Sequence, residues 1–418
     1  MFRAVLISFR RVTIAASLLF LLICGAEVAV RIYEAVTNTT ICPLSDGNCS
    51  DPSKLTIPSW SIHQELKPSA TARVECRDSK SEVSFQTNSR GLRGPEPVVP
   101  KPSNTYRIVV LGDETIYAPE MPDASHFCTR LQTQLQQQSK VQIEVVNAGI
   151  PGHCPLTELV HFKQRLMGLQ PDLVLLHFDW SDVADDRQIR RLVRCDESGI
   201  PATCPNAKLA TAKKKPPPQE VWRRQFRLLD WALNAISTEW KLQVARQRAV
   251  SHDTDTNSYA WLREDHPEKN REFWLAVQPI IEVARLCRSS NCQFVLMTSP
   301  KPWQVSSKCS RGPGVRLQAG VTRDACYTNQ APLKVLAGFA KHHNVPFIDG
   351  SSVMTSGSDA EENFLQHAPR WSAVGHEHLA ELVGKFLIEK IPGPWIGPYG
   401  SQTDIQWTSG QSLGGKLK

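Results

Sequence analysis

Acidic and hydroxyl side chains directly follow short apolar runs in this sequence. Two such runs lead into the candidate residues Asp113, Glu114, Asp179, Ser181 and Asp182. Short apolar runs rich in β-branched residues are typical of buried strands, and ligands and catalytic groups collect at the carboxyl ends of parallel strands. Side chains of these types at one sheet edge could act as general acids, general bases or nucleophiles, or could bind a divalent cation.

The elements that would position these side chains alternate between strand and helix from Tyr106 onward. Apolar runs predict strands at 108–111, 141–146, 173–178, 293–297 and 345–349. Apolar residues at helical spacing and the breaks between the runs predict helices at 126–138, 156–169, 272–287, 333–342 and 373–390. This alternation predicts a three-layer α/β/α fold with a central parallel sheet.

Four blocks of the sequence resemble the motif blocks of the SGNH (GDSL) hydrolases, from residue 83 to residue 390 outside one insert. Gly112-Asp113-Glu114 stands where the family has Gly-Asp-Ser, and Asn147-Ala148-Gly149-Ile150-Pro151-Gly152 matches the second block. Asp179-Trp180-Ser181-Asp182 stands where the family has Gly-x-Asn-Asp. Trp371-Ser372-Ala373-Val374-Gly375-His376 resembles the stretch that follows the catalytic histidine of the family. The resemblance implies an SGNH, flavodoxin-like fold.

The resemblance also assigns the family's catalytic and oxyanion positions to residues of this chain, namely Glu114, Gly152, Ser181, His367 and Arg370. Glu114 replaces the nucleophilic serine, Ser181 the oxyanion asparagine, and Arg370 the histidine, while His367 stands at the aspartate. A glutamate cannot form the acyl-serine, and an arginine stays protonated and cannot be a general base. The sequence therefore predicts a pseudoenzyme: a hydrolase-like domain without the usual esterase activity that binds a glycan or acyl-ester ligand.

Two alternatives retain chemistry at this edge. An active esterase or carbohydrate O-deacetylase could use His367 as its base, with Asp359 or Glu362 as partner. A metal-dependent hydrolase could bind its cation through the acids Asp113, Glu114, Asp179 and Asp182 and the imidazoles of His153 and His367. Of these residues, Asp113, His153, Asp179 and Asp182 are candidate ligand-binding residues. No metal-ligand spacing is diagnostic, and we expect no metal or cofactor. The favoured interpretation is that the acids bond to loop amides or pair with Arg370, and an ion pair between Glu114 and Arg370 is one hypothesis. A purely structural envelope protein is a further option.

The N-terminus carries a basic flank followed by an apolar segment. Arg3, Arg10 and Arg11 precede the run 12–31, which predicts a cytoplasmic N-terminus at 1–11 and a transmembrane anchor at 12–31. A cleaved signal peptide is the competing interpretation, because Cys24-Gly25-Ala26 offers small residues for cleavage. Both interpretations place the body on the periplasmic or extracellular side of a membrane.

Composition and cysteine content agree with an exported globular protein. Eleven cysteines follow the apolar segment and suggest disulfides, with short loops plausible at 42–49, 195–204, 287–292 and 309–326. The net charge of +7 is mild for 418 residues, so nucleic-acid binding is not expected. We expect an exported linker with a small substructure at 32–104, the hydrolase-like domain at 105–392 with a helical insert at 186–270, and a flexible tail at 393–418. The oligomeric state is not specified by the sequence.

Overall fold

The computed structural model describes residues 22–29, 48–49, 55–211, 259–263, 270–356 and 359–395, together with residues 17 and 32. Its strands are β1 Asn48–Cys49, β2 Thr56–Pro58, β3 Gln64–Leu66, β4 Thr71–Cys76, β5 Ser81–Gln86, β6 Thr105–Leu111, β7 Gln142–Asn147, β8 Leu173–Phe178, β9 Arg194–Cys195, β10 Pro201–Thr203, β11 Gln293–Thr298 and β12 Phe347–Asp349. Its α-helices are α1 Glu114–Tyr117, α2 Phe127–Gln137, α3 Pro155–His161, α4 Asp182–Ile189, α5 Ala207–Thr211, α6 Arg271–Ser289, α7 Pro302–Val305, α8 Val315–Gln318, α9 Ala331–His342, α10 Ser351–Met354 and α11 Ala373–Lys390.

The main sheet has five strands in the order β12-β11-β8-β6-β7, and every neighbouring pair is parallel. The central strands β6 and β8 are buried along nearly their whole length, as expected for strands covered on both faces. The first strand of the sheet, β6, lies between the second, β7, and the third, β8. This flavodoxin-like order places a topological switch point between β6 and β8, where ligands bind in open α/β sheets.

Two apolar cores cover the two faces of the sheet. On one face, Val109 and Leu176 pack with residues of α3, α6 and α9. On the other face, Val110 and Leu175 pack with residues of α2 and α11. The predicted three-layer α/β/α architecture is confirmed, because helices lie on both sides of one parallel sheet.

Residues ahead of the main sheet build small sheets of their own. Strands β4 and β5 form an antiparallel hairpin, to which β1 pairs in parallel, and β2 pairs with β3. The hairpin packs its apolar face, including Val83 and Phe85, against Tyr117 of α1. The hairpin is therefore anchored beside the first motif block.

Several sequence predictions differ from the structure. The helix predicted at 156–169 is divided into α3, a π-helical turn at Phe162–Leu166 and a 3-10 turn at Met167–Leu169. The flexible tail predicted from residue 393 begins too early, because Trp395 is buried against Tyr106 and its indole N–H donates to Ile391 O at 3.0 Å. Most of the insert 186–270 and residues 396–418 lie outside the described residues.

Neither the predicted anchor nor the predicted disulfides are found in the residues that the structure describes. Much of the segment 12–31 lies outside the described residues, and within the part that is described no helix has the length and apolar character needed to cross a membrane. The local disulfides predicted at 195–204, 287–292 and 309–326 are not formed, because all six of these cysteines are free thiols. The Cys292 thiol donates to Gln293 O at 3.3 Å, and the neighbouring Cys292 together with burial raises the pKa of Cys287.

Candidate functional site

The switch point between β6 and β8 brings the first three motif blocks together. Asp113 caps α1, since its Oδ1 accepts from Thr115 N at 2.8 Å. The second block packs against the same turn: the Asn147 amide donates to Ile116 O at 3.0 Å and its Oδ1 accepts from Gly149 N at 2.9 Å. A Cβ at Gly149 would lie 2.5 Å from Tyr117 N, so this close approach requires glycine.

Glu114 lies at the position of the family's nucleophile, and its carboxylate is directed to the second block. Its Oε2 accepts a hydrogen bond from Gly152 N at 3.2 Å. Gly152 adopts a left-handed conformation with φ of 67°, which aims its N–H at this point. The backbone donor that would meet an oxyanion in the family is therefore already bound to a carboxylate.

Ser181, at the oxyanion asparagine position, is directed away from Glu114 and toward the acids behind it. Its hydroxyl donates to Asp179 Oδ1 at 2.7 Å and lies 3.3 Å from Asp113 Oδ2. Asp179 also accepts from Thr115 Oγ1 at 2.9 Å and forms an ion pair of 2.6 Å with the Lys301 ammonium. The Thr115 hydroxyl is thus engaged by Asp179.

Asp113, Glu158, Asp179 and Asp182 act on one another and form what we call the buried acid cluster. Lys301 is the counterion of Asp179 in this cluster. Burial works against the charged form of Asp179, but Lys301 and then His177 outweigh it and lower its pKa to about 2. Burial likewise opposes the charge of Lys301, yet Asp179 above all keeps the pKa of this lysine raised. The pair is consequently ionised in the folded protein.

The remaining acids of the cluster have no such counterion. Burial, reinforced by neighbouring carboxylates, raises the pKa values of Asp113, Glu158 and Asp182 well above the ordinary range. Asp182 Oδ2 accepts from Asp179 N at 2.9 Å, whereas Asp182 Oδ1 and both oxygens of Glu158 find no partner among the described residues. Burial and the neighbouring carboxylates therefore favour the protonated forms of these three acids.

The predicted pair between Glu114 and Arg370 is wrong. Arg370 instead forms a two-point ion pair with Glu120, in which Nε donates to Oε2 at 2.9 Å and Nη2 donates to Oε1. Burial opposes the charge on Arg370, but Glu120, and to a smaller extent Glu114, raise its pKa. Glu120, which follows α1, binds the edge of the guanidinium formed by Nε and Nη2, while Glu114 accepts from Gly152 N.

His367 also has a different partner from those predicted, because Asp78 takes the place of Asp359 or Glu362. Asp78 lies in the turn of the β4–β5 hairpin, and its Oδ1 is 3.3 Å from His367 Nδ1. The same carboxylate accepts from Gln366 N at 2.8 Å and His367 N at 3.2 Å. The accessory hairpin is in this way tied to the fourth block.

A cleft of about 630 Å³ opens between the hairpin and the motif blocks. Its charged lining residues are Glu75, Arg77, Asp78, Glu114, Glu120, His367 and Arg370. The structure thus brings Glu114, His367 and Arg370 to one cleft. Asp113, Asp179 and Asp182, predicted as ligand-binding residues, are instead 2% exposed or less and pair internally.

His153, also predicted to bind ligand, does not join this group. Its ring is fully buried, its Nε2 lies 2.9 Å from Gln64 O, and it packs edge-on against His161. The imidazole beside the acids belongs to His177. One of its ring nitrogens lies within 4.8 Å of a carboxylate oxygen of Asp113 and of Asp179. These three groups form a metal-compatible set, but the Lys301 ammonium already binds Asp179.

No known protein family matches this chain, and no curated protein matches it. Among solved structures, it is similar to a lipase/acylhydrolase from Enterococcus faecalis, with 13% identity and a TM-score of 0.36 over 68% of this chain and 95% of that chain. It is similar to an acetylxylan esterase from Geobacillus stearothermophilus, with 13% identity and a TM-score of 0.34 over 67% and 93%. It is also similar to a GDSL-like lipase from Bacteroides thetaiotaomicron, with 11% identity and a TM-score of 0.33 over 67% and 86%.

Sequence reasoning missed the residues that complete the site: Asp78, Glu120, His177 and Lys301. Lys301 follows the strand β11, and His177 lies within β8 two residues before its motif block. A systematic search of every strand's carboxyl end would have found Lys301. Asp78 and Glu120 carry no comparable signal, because they lie in loops whose partners are distant in sequence.

Proposed function

We propose that this chain is an SGNH-type domain that binds a glycan or acyl ligand in the cleft and lacks the family's serine esterase chemistry. The observation that carries this proposal is the contact between the Glu114 carboxylate and Gly152 N. Hydrolysis through an acyl-serine needs that donor for the oxyanion and needs a hydroxyl at position 114. The Glu114 carboxylate stands in place of that hydroxyl and also binds the Gly152 N–H.

The hydroxyl of Ser181 supports the same conclusion. Ser181 donates to Asp179, and a carboxylate whose pKa is about 2 is a very weak base for activating a serine. Arg370, at the histidine position, gives its donors to Glu120 and cannot accept a proton. Neither a nucleophile nor its base is therefore assembled at the family's positions.

The cleft supports the binding half of the proposal. Its volume of about 630 Å³ falls within the roughly 300–1,000 Å³ usual for small-ligand sites. Its lining combines carboxylates and guanidinium groups with Pro119, Pro151 and Ala368. Polar groups that alternate with small apolar surfaces suit a ligand with hydroxyl groups and short apolar faces.

One experiment tests the loss of activity. The purified full-length chain is expected to hydrolyse aryl acetates no faster than a buffer blank, and its rate should not change with Glu114→Gln. Turnover that disappears in His367→Ala would reject the proposal. Turnover that disappears on chelation would instead favour the metal-dependent alternative.

A second candidate function rests on the Asp78–His367 contact. Asp78 orients the ring through Nδ1, which leaves Nε2 to accept a proton from water in the cleft. An active carbohydrate O-deacetylase could use this pair with water as the nucleophile. Acetate release from an acetylated oligosaccharide by the unmodified chain, lost in both His367→Ala and Asp78→Asn, would establish this second function.

We also propose that the body is exported and held at a membrane by residues 12–31. The support is the basic flank and apolar run at the N-terminus. In intact cells from which any outer barrier has been removed, added protease should degrade the body, while a cytoplasmic marker survives. Protection of the body until the cells are lysed would contradict export.

A further inference from the structure

Glu114 forms no ion pair with any residue that the structure describes. Arg370 acts electrostatically on both Glu114 and Glu120, yet it donates its side-chain hydrogen bonds to Glu120. His367 is engaged by Asp78. Glu114 therefore faces the cleft within the fields of Arg370 and Lys301 but without a bonded cation.

The Lys301 ammonium acts electrostatically on Glu114 but is bonded to another acid. Asp179 holds this ammonium at 2.6 Å. Burial first and then Glu114 raise the pKa of Asp185 to about 8, so Glu114 also disfavours a second negative charge beside it. Among the described residues, Lys301 therefore forms its ion pair with Asp179 and not with Glu114.

Glu114 also keeps one acceptor atom unused. Its Oε2 accepts from Gly152 N, whereas its Oε1 accepts no hydrogen bond from any residue that the structure describes. Glu114 is partly exposed and belongs to the wall of the cleft. A ligand cation in the cleft would meet this oxygen without displacing any protein contact.

We propose that the ligand carries a protonated amine and that this ammonium pairs with Glu114 Oε1. The inference rests on the proposed binding function and names its ligand class: an amino sugar whose nitrogen is not acetylated. Hydroxyl groups of the sugar would face the charged rim formed by Glu75, Arg77 and the Asp78–His367 pair. An ammonium bonded to a carboxylate is a charge-assisted contact, about twice as strong as a neutral one.

Calorimetric titration of the full-length chain tests this inference, at mildly acidic pH, where the amine is protonated. The probes are glucosamine, N-acetylglucosamine, glucose and propylamine. We expect glucosamine to bind at least about tenfold more tightly than N-acetylglucosamine and glucose, which corresponds to about 1.4 kcal/mol. Propylamine should bind more weakly than glucosamine, because an amine alone lacks the contacts of the sugar ring.

Two variants complete the design. Glu114→Gln keeps the shape of the side chain and the bond to Gly152, and should abolish the preference for glucosamine over N-acetylglucosamine. Glu82→Gln is the matched control, because Glu82 is exposed on β5 and lies outside the lining of the cleft. Among the described residues, its one ion pair is with Arg73 at 3.9 Å. This control should bind glucosamine as the unmodified chain does.

The outcomes separate this inference from the proposal beneath it. Equal affinity for glucosamine and N-acetylglucosamine, or a preference that survives in Glu114→Gln, would refute the ammonium contact while leaving sugar binding intact. Propylamine as tight as glucosamine would show an amine site that does not recognise sugar. Binding of no probe would refute the inference. If a panel of neutral glycans and acyl esters also failed to bind, the binding function itself would be refuted.

Discussion

The ion pair between Arg370 and Glu120 gives the most demanding test of how this site is held together. Arg370→Met keeps much of the apolar stem but removes both donors to Glu120. The two side chains are only 18% and 15% exposed, so the abandoned carboxylate would stay largely out of water. Removing one partner of a buried pair costs about 3–5 kcal/mol; partial exposure here lowers our expectation to about 2–4 kcal/mol.

The coupling free energy between Arg370 and Glu120 is the decisive quantity. Glu120→Gln should also destabilise, because the guanidinium then loses its counterion. The double variant should cost less than the two single changes together, with a coupling free energy of about 1–3 kcal/mol. Urea unfolding followed by tryptophan fluorescence, with slopes compared among variants, measures each free energy.

A surface pair provides the control for this cycle. Arg73 and Glu82 approach to 3.9 Å, but their side chains are 59% and 65% exposed. Arg73→Met should therefore change stability by less than about 0.5 kcal/mol. Two results would refute the view that the ion pair between Arg370 and Glu120 stabilises the site. One is a loss of unfolding free energy in Arg370→Met no larger than that in Arg73→Met, and the other is strict additivity with Glu120→Gln.

Three further predictions concern other parts of the molecule. Glu114→Ser alone should give no esterase activity in an aryl-acetate assay, because Arg370 still occupies the base position; a measurable gain would show that the fourth block is misaligned. Because burial raises the pKa of Glu158, the folded state keeps a proton that the unfolded chain releases above its ordinary pKa of 4.5. The contribution of Glu158 to stability is thus lost as pH rises from 4.5 toward the raised pKa. In Glu158→Gln, the free energy of unfolding in urea should therefore fall less steeply with pH, by up to about 1.4 kcal/mol per pH unit. An unchanged slope would contradict this prediction. A thiol reagent should label exposed Cys195 and Cys326 in the native protein well before buried Cys128, as peptide mass mapping would show; labelling of Cys128 at the same rate would be the opposite result.

The sheet could be predicted from sequence because each strand carries its own local signal. The run 173–178 is apolar throughout and became β8 with the predicted bounds, and α11 likewise matches the prediction at 373–390. The bounds of β12 were less accurate, since it begins at Phe347 and not at Val345. Short edge strands have little local pattern, and their limits depend on what the neighbouring strand offers.

The partners within the site could not be predicted in the same way. Positions 114, 367 and 370 follow from the motif blocks, and the structure does place them around one cleft. Which acid would reach Arg370 depends on how the turn after α1 is directed, and Glu120 is 250 residues away from Arg370 in sequence. Asp78 is more distant still from the fourth block. Such contacts are products of tertiary packing, for which a single sequence has no periodic signature.

The turn of the β4–β5 hairpin forms part of the wall of the cleft. Its residues Arg77 and Asp78 line the cleft together with His367, Ala368 and Arg370. The Asp78 carboxylate joins these two segments of the wall, because it accepts hydrogen bonds from Gln366 N and His367 N. In the proposed binding function, this hairpin, which lies outside the α/β/α core, limits the size of the ligand. A longer or shorter turn would therefore change which ligands the cleft accepts.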